Sequence, residues 1–463
     1  MDYTQLGIDQ LQKAMGNGEI TSKKLVIAYM KKIAAIDSCE DGLNSVAEIN
    51  PDAIFIAEEL DKERADGKVR GSMHGIPVML KDNINTGDKM HTTAGSLALK
   101  DNYAPYDAGV VINLRKAGAI ILAKTNLTEF ANFMSNGIPN GYSSRGGQVL
   151  CSLNRTKDPS GSSTGSAVAV SAKLTSVGIG TETSGSILSP SLTNGIVGMK
   201  PTKGLIPSDG IIPISYTLDS AGPMGRCVKD VAILLGAMTG YEHEYTKGLR
   251  STSLEGLKIG VNRAHMNIME EEEIVSSEKL LVALKKAGAI LIEDINMPFQ
   301  KELKDIIENE FKNNINHYLS TLNPSFKIRT LEDIIEYNKQ NKEKALKYGQ
   351  KHLLQANYFT SGRMVEPEYL EAMAVREQTI QELDDVMDKH KLDIMLHFAI
   401  FNNLAPFTGF PSITIPTGLG EDGMPTGTHL IARRNDEGTL LKFAYAIENI
   451  LEFELTQTDI IKS

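Results

Sequence analysis

The chain has 463 residues, 41 % of them hydrophobic and 23 % charged, an ordinary globular composition that excludes wholesale disorder. With 48 basic and 58 acidic side chains its formal net charge is -10, the wrong sign for a general binder of phosphate backbones, so no nucleic-acid partner is expected. No run reaches the ~18 consecutive apolar residues of a membrane span, so no membrane partner is expected either.

The N-terminal segment MDYTQLGIDQLQKAMG has no basic region followed by an apolar core, so it does not predict an export signal. Three scattered cysteines, Cys39, Cys151 and Cys227, do not make a disulfide framework, and a reduced cytoplasm is the expected address. With no CxxC and no HExxH, no metal is expected, and no cofactor. Oligomeric state is not legible.

Along the chain, Thr21 and Ser22 are placed to cap a helix through SKKLVIAYMKKIAAID, in which Leu25, Tyr29 and Ile33 recur at helical spacing. A second helix is predicted from Pro51 to about Ala65, with Pro51 suited to its first turn. Ile76–Leu80 predicts a compact apolar strand that ends at Lys81, followed by a helix at Ala108–Ala117 and a strand at Ile120–Ala123. Residues 141–226 are dense in Gly, Ser, Thr and Pro, yet apolar runs such as AVAVSAKL and GIVGMK interrupt them, which indicates tight loops and buried elements. Strand–helix alternation resumes at LKIGV, a helix near Ser276–Ala287, and AILIE. Strands at Ser412–Ile415 and His429–Ala432 and a helix near Leu440–Asn449 close the chain.

This alternation predicts an α/β fold. Residues 1–66 form a mainly helical part, 67–298 a core, 299–390 a helical insertion rich in Lys, Glu and Asn, and 391–463 the elements that complete the core, all within one domain, 1–463. The insertion's charge pattern fits a solvated bundle as well as a lid.

The most informative stretch is SGSSTGSAVAVSAKLTSVGIGTETSGS, from Ser160 to Ser186. Between Ser162 and Ser186 a helix of ~11 residues spans ~16 Å and a strand of ~5 residues ~17 Å. If the strand returns along the helix, two serine-rich loops meet at one end of a sheet. They would bring together the hydroxyls of Ser162, Ser163, Thr183 and Ser186, with glycine-rich backbone whose N–H groups can face a developing oxyanion. A serine hydroxyl needs a base. No histidine stands in a setting that marks a triad. Lys81, at the end of an apolar strand, is the other candidate, because desolvation favours the neutral amine; the competing reading is a lysine that snorkels to the surface. Gly161-Ser162-Ser163-Thr164-Gly165 also fits G-x-S-x-G around Ser163, but the polar, proline-containing segment before it is not the required strand. GTETSGS has the outline of a phosphate loop but lacks its lysine.

Several segments in order resemble the amidase signature family. His74-Gly75-Ile76-Pro77-Val78-Met79-Leu80-Lys81-Asp82-Asn83 resembles its catalytic-lysine segment, Gly161-Ser162-Ser163 through Ala167 its glycine/serine signature, and Thr183-Ser184-Gly185-Ser186-Ile187 its nucleophile loop. Gly198-Met199-Lys200-Pro201-Thr202, Asp219-Ser220-Ala221-Gly222-Pro223-Met224 and Gly409-Phe410-Pro411-Ser412-Ile413-Thr414-Ile415-Pro416 resemble the segments that follow. The resemblance implies a mixed, twisted sheet covered by helices on both faces. It also implies an amide hydrolase with Ser186 as nucleophile, Ser162 on a cis peptide as proton relay, and Lys81 as base. The backbone of Thr183, Ser184, Gly185 and Ser186 would hold the oxyanion, Ser163 would support the network, and an acyl-enzyme would form as ammonia or an amine leaves. Asn132 lies in a region that borders the acyl pocket in relatives, although an asparagine at a helix end is the plainer reading.

SSRGGQ (143–148), GTETSGSI (180–187) and DGIIPISYTLDSAGPM (209–224) resemble bacterial peptide amidases, which implies a small-molecule or peptide amide as substrate, C-terminal peptide amides among them. Two departures stand out: Ser184 and Thr164 occupy positions where the family commonly has glycine. Two further classes remain, the A subunit of a tRNA-dependent glutamine amidotransferase and a non-catalytic binding protein on the same scaffold. Leu188 stands where those amidotransferases usually carry the arginine that follows the serine–isoleucine pair, and the three intact catalytic groups weigh against the binding protein.

Overall fold

The computed structural model describes residues 1–451 apart from 242–244, 251–252, 264–265, 267–268, 270, 296, 298–299, 301 and 399–402. Parts of the expected 299–390 insertion and 391–463 segment therefore lie outside the described residues. The strands are β1 (Val46–Ile49), β2 (Pro77–Lys81), β3 (Ile120–Thr125), β4 (Tyr142–Ser143), β5 (Gly147–Gln148), β6 (Val177–Glu182) and β7 (Val197–Lys200). They continue with β8 (Ser220–Gly225), β9 (Lys258–Asn262), β10 (Ile290–Ile295), β11 (Ile394–His397), β12 (Ser412–Leu419) and β13 (Pro425–Ile431). Eleven form one sheet in the order β1-β3-β2-β6-β8-β7-β12-β13-β11-β9-β10, and β4 and β5 form a separate hairpin.

The sheet is mixed, as expected. Strand β2 runs parallel to both β3 and β6, and β9 runs parallel to β10 and β11. The strands between these groups pair antiparallel. Helices Gly109–Lys116 and Glu271–Lys286 supply the crossovers that parallel neighbours require. Every residue of β2, β3 and β6 is buried, which is why these strands read as continuous apolar runs.

Most predicted elements appear within a few residues of their expected bounds. Thr21 caps the helix Ser22–Ile36 by accepting the Lys24 N–H at 3.2 Å. Pro51 is a correction: the helix is Ala53–Ala65, and Pro51 lies in the turn before it. There Asn50 Oδ1 accepts the Asp52 N–H at 2.9 Å, so an asparagine side chain organises the entry. The C-terminal strands are longer than their apolar cores predicted, because the polar ends of β12 and β13 pair as a hairpin.

The insertion comprises the helices Leu303–Ser320, Leu331–Gln340, Lys342–Ala345, Lys351–Phe359 and Pro367–His390. It is not a solvated bundle. Phe311, Ile315 and Leu353 pack into one apolar cluster with Phe130, Phe133 and Ile214 from the rest of the chain. Tyr318 donates its hydroxyl to Asn85 Oδ1 at 2.8 Å across the same boundary.

Candidate active site

Lys81 is the last residue of β2. Beside it runs β6, in register through Leu80 and Ile179. The side chain does not snorkel: Lys81 is 0 % exposed. Its Nζ lies 2.8 Å from Ser162 Oγ, 3.0 Å from Ser163 Oγ and 3.1 Å from the Thr181 carbonyl oxygen. Burial lowers its pKa to about 7, and the carboxylates of Asp219 and Glu182 oppose that shift without cancelling it. A neutral amine suits the three partners: its lone pair can accept the Ser162 hydroxyl proton while two N–H groups face Ser163 and Thr181.

The two serine loops do meet. The helix between them is Thr164–Ser171, shorter than expected, and the chain turns through a left-handed Lys173 (φ 59) before entering β6. The Ser163 N–H donates to the Ser186 carbonyl at 3.1 Å. Ser163 Oγ also donates to the Thr181 carbonyl at 3.0 Å and accepts the Thr181 N–H at 3.2 Å, so this hydroxyl ties the first loop to β6. The Gly161–Ser162 peptide is cis. A Cβ at Gly161 would sit 2.6 Å from Thr128 Oγ1 and 2.9 Å from Asn140 Oδ1, so only glycine fits there without a shift. Thr164, where relatives commonly have glycine, places its hydroxyl on the Ser160 carbonyl at 2.7 Å and stabilises the same turn.

The second loop hangs from Glu182, the last residue of β6. Its buried carboxylate accepts the N–H groups of Ile187 at 2.7 Å and Leu188 at 3.0 Å, which satisfies donors at the start of the helix Leu188–Thr193. Thr183 Oγ1 donates to Asp219 Oδ1 at 2.5 Å, and the other oxygen of Asp219 accepts the N–H groups of Ile214 and Ser215 at 2.8 and 3.0 Å. Burial raises the Asp219 pKa to about 6, against the hydrogen bond from Thr183. Within this loop Gly185 is left-handed (φ 77), whereas Ser184 is not. A side chain at 184 is therefore tolerated, and the Ser184 hydroxyl donates to Asn403 Oδ1 at 3.0 Å.

Ser186 and Thr183 reach the wall of an open cavity of about 430 Å³, a volume suited to a small ligand. Ser186 is 8 % exposed and lines this cavity. Asn132 lines the same cavity with Ala131 and Phe133. It is not a plain helix-end asparagine: Phe130, Ala131 and Asn132 are all left-handed (φ 47, 52 and 74), a run of non-glycine residues that only a well-braced wall sustains. Part of the brace is the buried Glu129 carboxylate, which accepts the Ser144 N–H at 2.7 Å and the Ser144 hydroxyl at 2.9 Å.

Some contributors carry no local signal in the sequence. Asp219 and Glu182 lie beside or inside segments that resemble the family, but nothing near them shows what their carboxylates grip. The opposite cavity wall comes from the insertion, through Leu303, Lys304, Ile307, Glu308 and His352. Among the described residues no helix is long and apolar enough to cross a membrane.

These features define an α/β enzyme with a buried lysine and paired serine loops beside an open cavity. The chain belongs to the amidase family: the family model described as Amidase matches residues 24–397. Its fold is similar to that of the native peptide amidase from Stenotrophomonas maltophilia, with a TM-score of 0.91 and 37 % identity over 98 % of each chain. It is 35 % identical over 506 residues to a putative amidase of Schizosaccharomyces pombe, covering 96 % of this chain and 85 % of the relative. It is also 31 % identical over 495 residues to the A subunit of the glutamyl-tRNA(Gln) amidotransferase of Koribacter versatilis, covering 97 % and 99 %. The protein is a hydrolase that acts on amide carbon–nitrogen bonds.

Proposed function

We propose that Lys81, Ser162 and Ser186 carry out this hydrolysis through an acyl-enzyme, and that the substrates include C-terminal peptide amides. The observation that carries the reading is the fully buried Lys81 Nζ, 2.8 Å from Ser162 Oγ, on a loop bonded to the one that presents Ser186 to the cavity. Neutral Lys81 accepts the Ser162 hydroxyl proton as Ser162 takes the proton of Ser186. The Ser186 oxygen bonds to the carboxamide carbon, and the carbonyl π electrons move onto oxygen, where the backbone N–H groups of Thr183, Ser184, Gly185 and Ser186 hold the charge. The carbon–nitrogen bond then breaks, the relay returns the proton to nitrogen, and ammonia leaves. Water, deprotonated by the same relay, attacks the ester and releases the carboxylate and Ser186. Ser163 supports the amine, and Asn132 contacts the acyl part.

The similarity to a peptide amidase favours peptide amides over other carboxamides. The amidotransferase reading, which the Koribacter versatilis relative keeps in view, is weakened by Leu188, a fully buried apolar residue where such amidotransferases carry arginine. The test is ammonia release from amidated dipeptides, simple aliphatic and aromatic amides, and glutamine, with the wild type and with Ser186→Ala, Ser162→Ala and Lys81→Ala. Each variant is expected to lose at least ~10²-fold in kcat/KM. Full activity of Lys81→Ala at neutral pH overturns the base assignment, and a wild type that releases ammonia from glutamine alone overturns the substrate reading.

A further inference from the structure

The cavity beside Ser186 has a polar end that bond cleavage itself does not use. Lys304 and Glu308 stand one turn apart on the helix Leu303–Ser320 and therefore share a face. His352, from the helix Lys351–Phe359, lines the same end and stacks on Phe133, with ring centroids 5.2 Å apart. The Glu308 side chain is only 12 % exposed, whereas Lys304 is 68 % exposed. Gln355 Nε2 donates to Glu308 Oε2 at 3.0 Å. The other carboxylate oxygen, Oε1, is buried; it meets the Lys304 ammonium in a long ion pair of 3.5 Å and has no other partner among the described residues. Nδ1 of His352 is also buried without a hydrogen-bond partner among them.

Buried acceptors without donors are costly, and a ligand that brings the donors relieves the cost. A simple alkyl or aryl amide brings none beyond its reacting group. A peptide brings an N–H and a carbonyl close together, which matches a carboxylate acceptor next to an ammonium donor. A free substrate ammonium fits less well, because it would have to approach Glu308 beside the like charge of Lys304.

Resting on the hydrolase reading above, we propose that Glu308 and Lys304 recognise the peptide group that precedes the scissile carboxamide. Lys304, on a 68 % exposed stem, swings off Glu308 Oε1 and donates to the substrate carbonyl, and the oxygen it uncovers accepts the substrate N–H. The insertion thereby sets the substrate class: acylated amino-acid amides and peptide amides, ahead of simple amides and of amino-acid amides with a free amine.

Three substrates with one side chain separate these cases: N-acetylphenylalaninamide, phenylalaninamide and 3-phenylpropanamide, each followed by ammonia release. The wild type is expected to prefer the acetylated substrate to both others in kcat/KM. Glu308→Gln keeps one acceptor and Glu308→Leu keeps none, so the preference is expected to fall in the order Glu, Gln, Leu. The Leu step is expected to cost about tenfold, mainly through KM, as for one charge-assisted hydrogen bond. The Gln variant, nearly isosteric, keeps the test independent of whether the Leu variant folds. Hydrolysis of all three substrates in the same ratio by all three proteins overturns this proposal and leaves the hydrolase reading standing. A proportional loss on every substrate shows a structural role and overturns it too. No ammonia from any of the three substrates with the wild type removes the peptide-amide reading of the proposed function and this proposal with it.

Discussion

The backbone N–H of Ser163 donates to the carbonyl of Ser186 at 3.1 Å, so main chain joins the two serine-rich loops directly. A hydroxyl can therefore be removed from either loop without undoing their docking.

Ser162 and Ser163 should then differ in kind. Ser163 Oγ makes hydrogen bonds to Lys81 and to both backbone groups of Thr181, and its removal leaves buried donors unmet. Ser163→Ala is expected to lose both rate and stability, the latter by about 1–3 kcal/mol. Ser162→Ala is expected to lose rate by at least ~10²-fold with a smaller change in stability. Urea unfolding alongside ammonia release measures both, and equal destabilisation by the two substitutions would refute the distinction.

The rate should fall in acid. In the proposed mechanism Lys81 accepts a proton, which requires the neutral amine, and burial has brought its pKa to about 7. Below that value kcat/KM is expected to drop about tenfold per pH unit, as one proton occupies the free enzyme's base. A profile flat from pH 8 to pH 5 would exclude Lys81 from the reaction.

Stability should respond to the same group in the opposite sense to a salt-bridged lysine. The folded pKa is depressed from 10.5 to about 7, so between these values the unfolded chain binds one more proton than the folded one. Stability contributed at this site therefore rises with pH across that window and is lost as pH falls toward 7. Lys81→Met removes the titration. Its Tm relative to wild type is expected to be highest near pH 7 and to decline steadily toward pH 10; parallel Tm curves would contradict this.

Asp219 links the Thr183–Ser186 loop to Lys81. It accepts the Thr183 hydroxyl at 2.5 Å, and its charge raises the Lys81 pKa. Asp219→Asn should lower kcat and move the acid limb of the rate profile to lower pH, because less negative charge favours the neutral amine. Thr183→Val should lower kcat by roughly tenfold, the scale of one strong hydrogen bond, with a smaller shift of that limb. Equal midpoints in wild type and Asp219→Asn would remove the electrostatic link.

Much of this arrangement is written locally. The apolar run Ile76–Leu80 predicts a buried strand, and its end carries Lys81. The lengths of the helix and strand between Ser162 and Ser186 predict that the loops meet, even though the helix proved shorter, because the return of β6 depends on direction more than on length. Ser184 stands out in the sequence and is an ordinary residue in the fold, since the left-handed turn falls on Gly185 alone. The Pro51 helix start failed because Asn50 competes for the same backbone.

Hydrophobic periodicity, turn chemistry and the order of the serine loops are short-range properties, and the amino-acid sequence determined them: strand, loop, hydroxyls and amine were all in place along the chain. Tertiary structure decided what those groups can do. The burial that brings the Lys81 pKa to about 7, the grip of Glu182 and Asp219 on the loop that carries Ser186, and the wall built by Glu308 and His352 join groups far apart in the chain. Desolvation and hydrogen-bond geometry depend on which surfaces close over a side chain, and no local pattern carries that information.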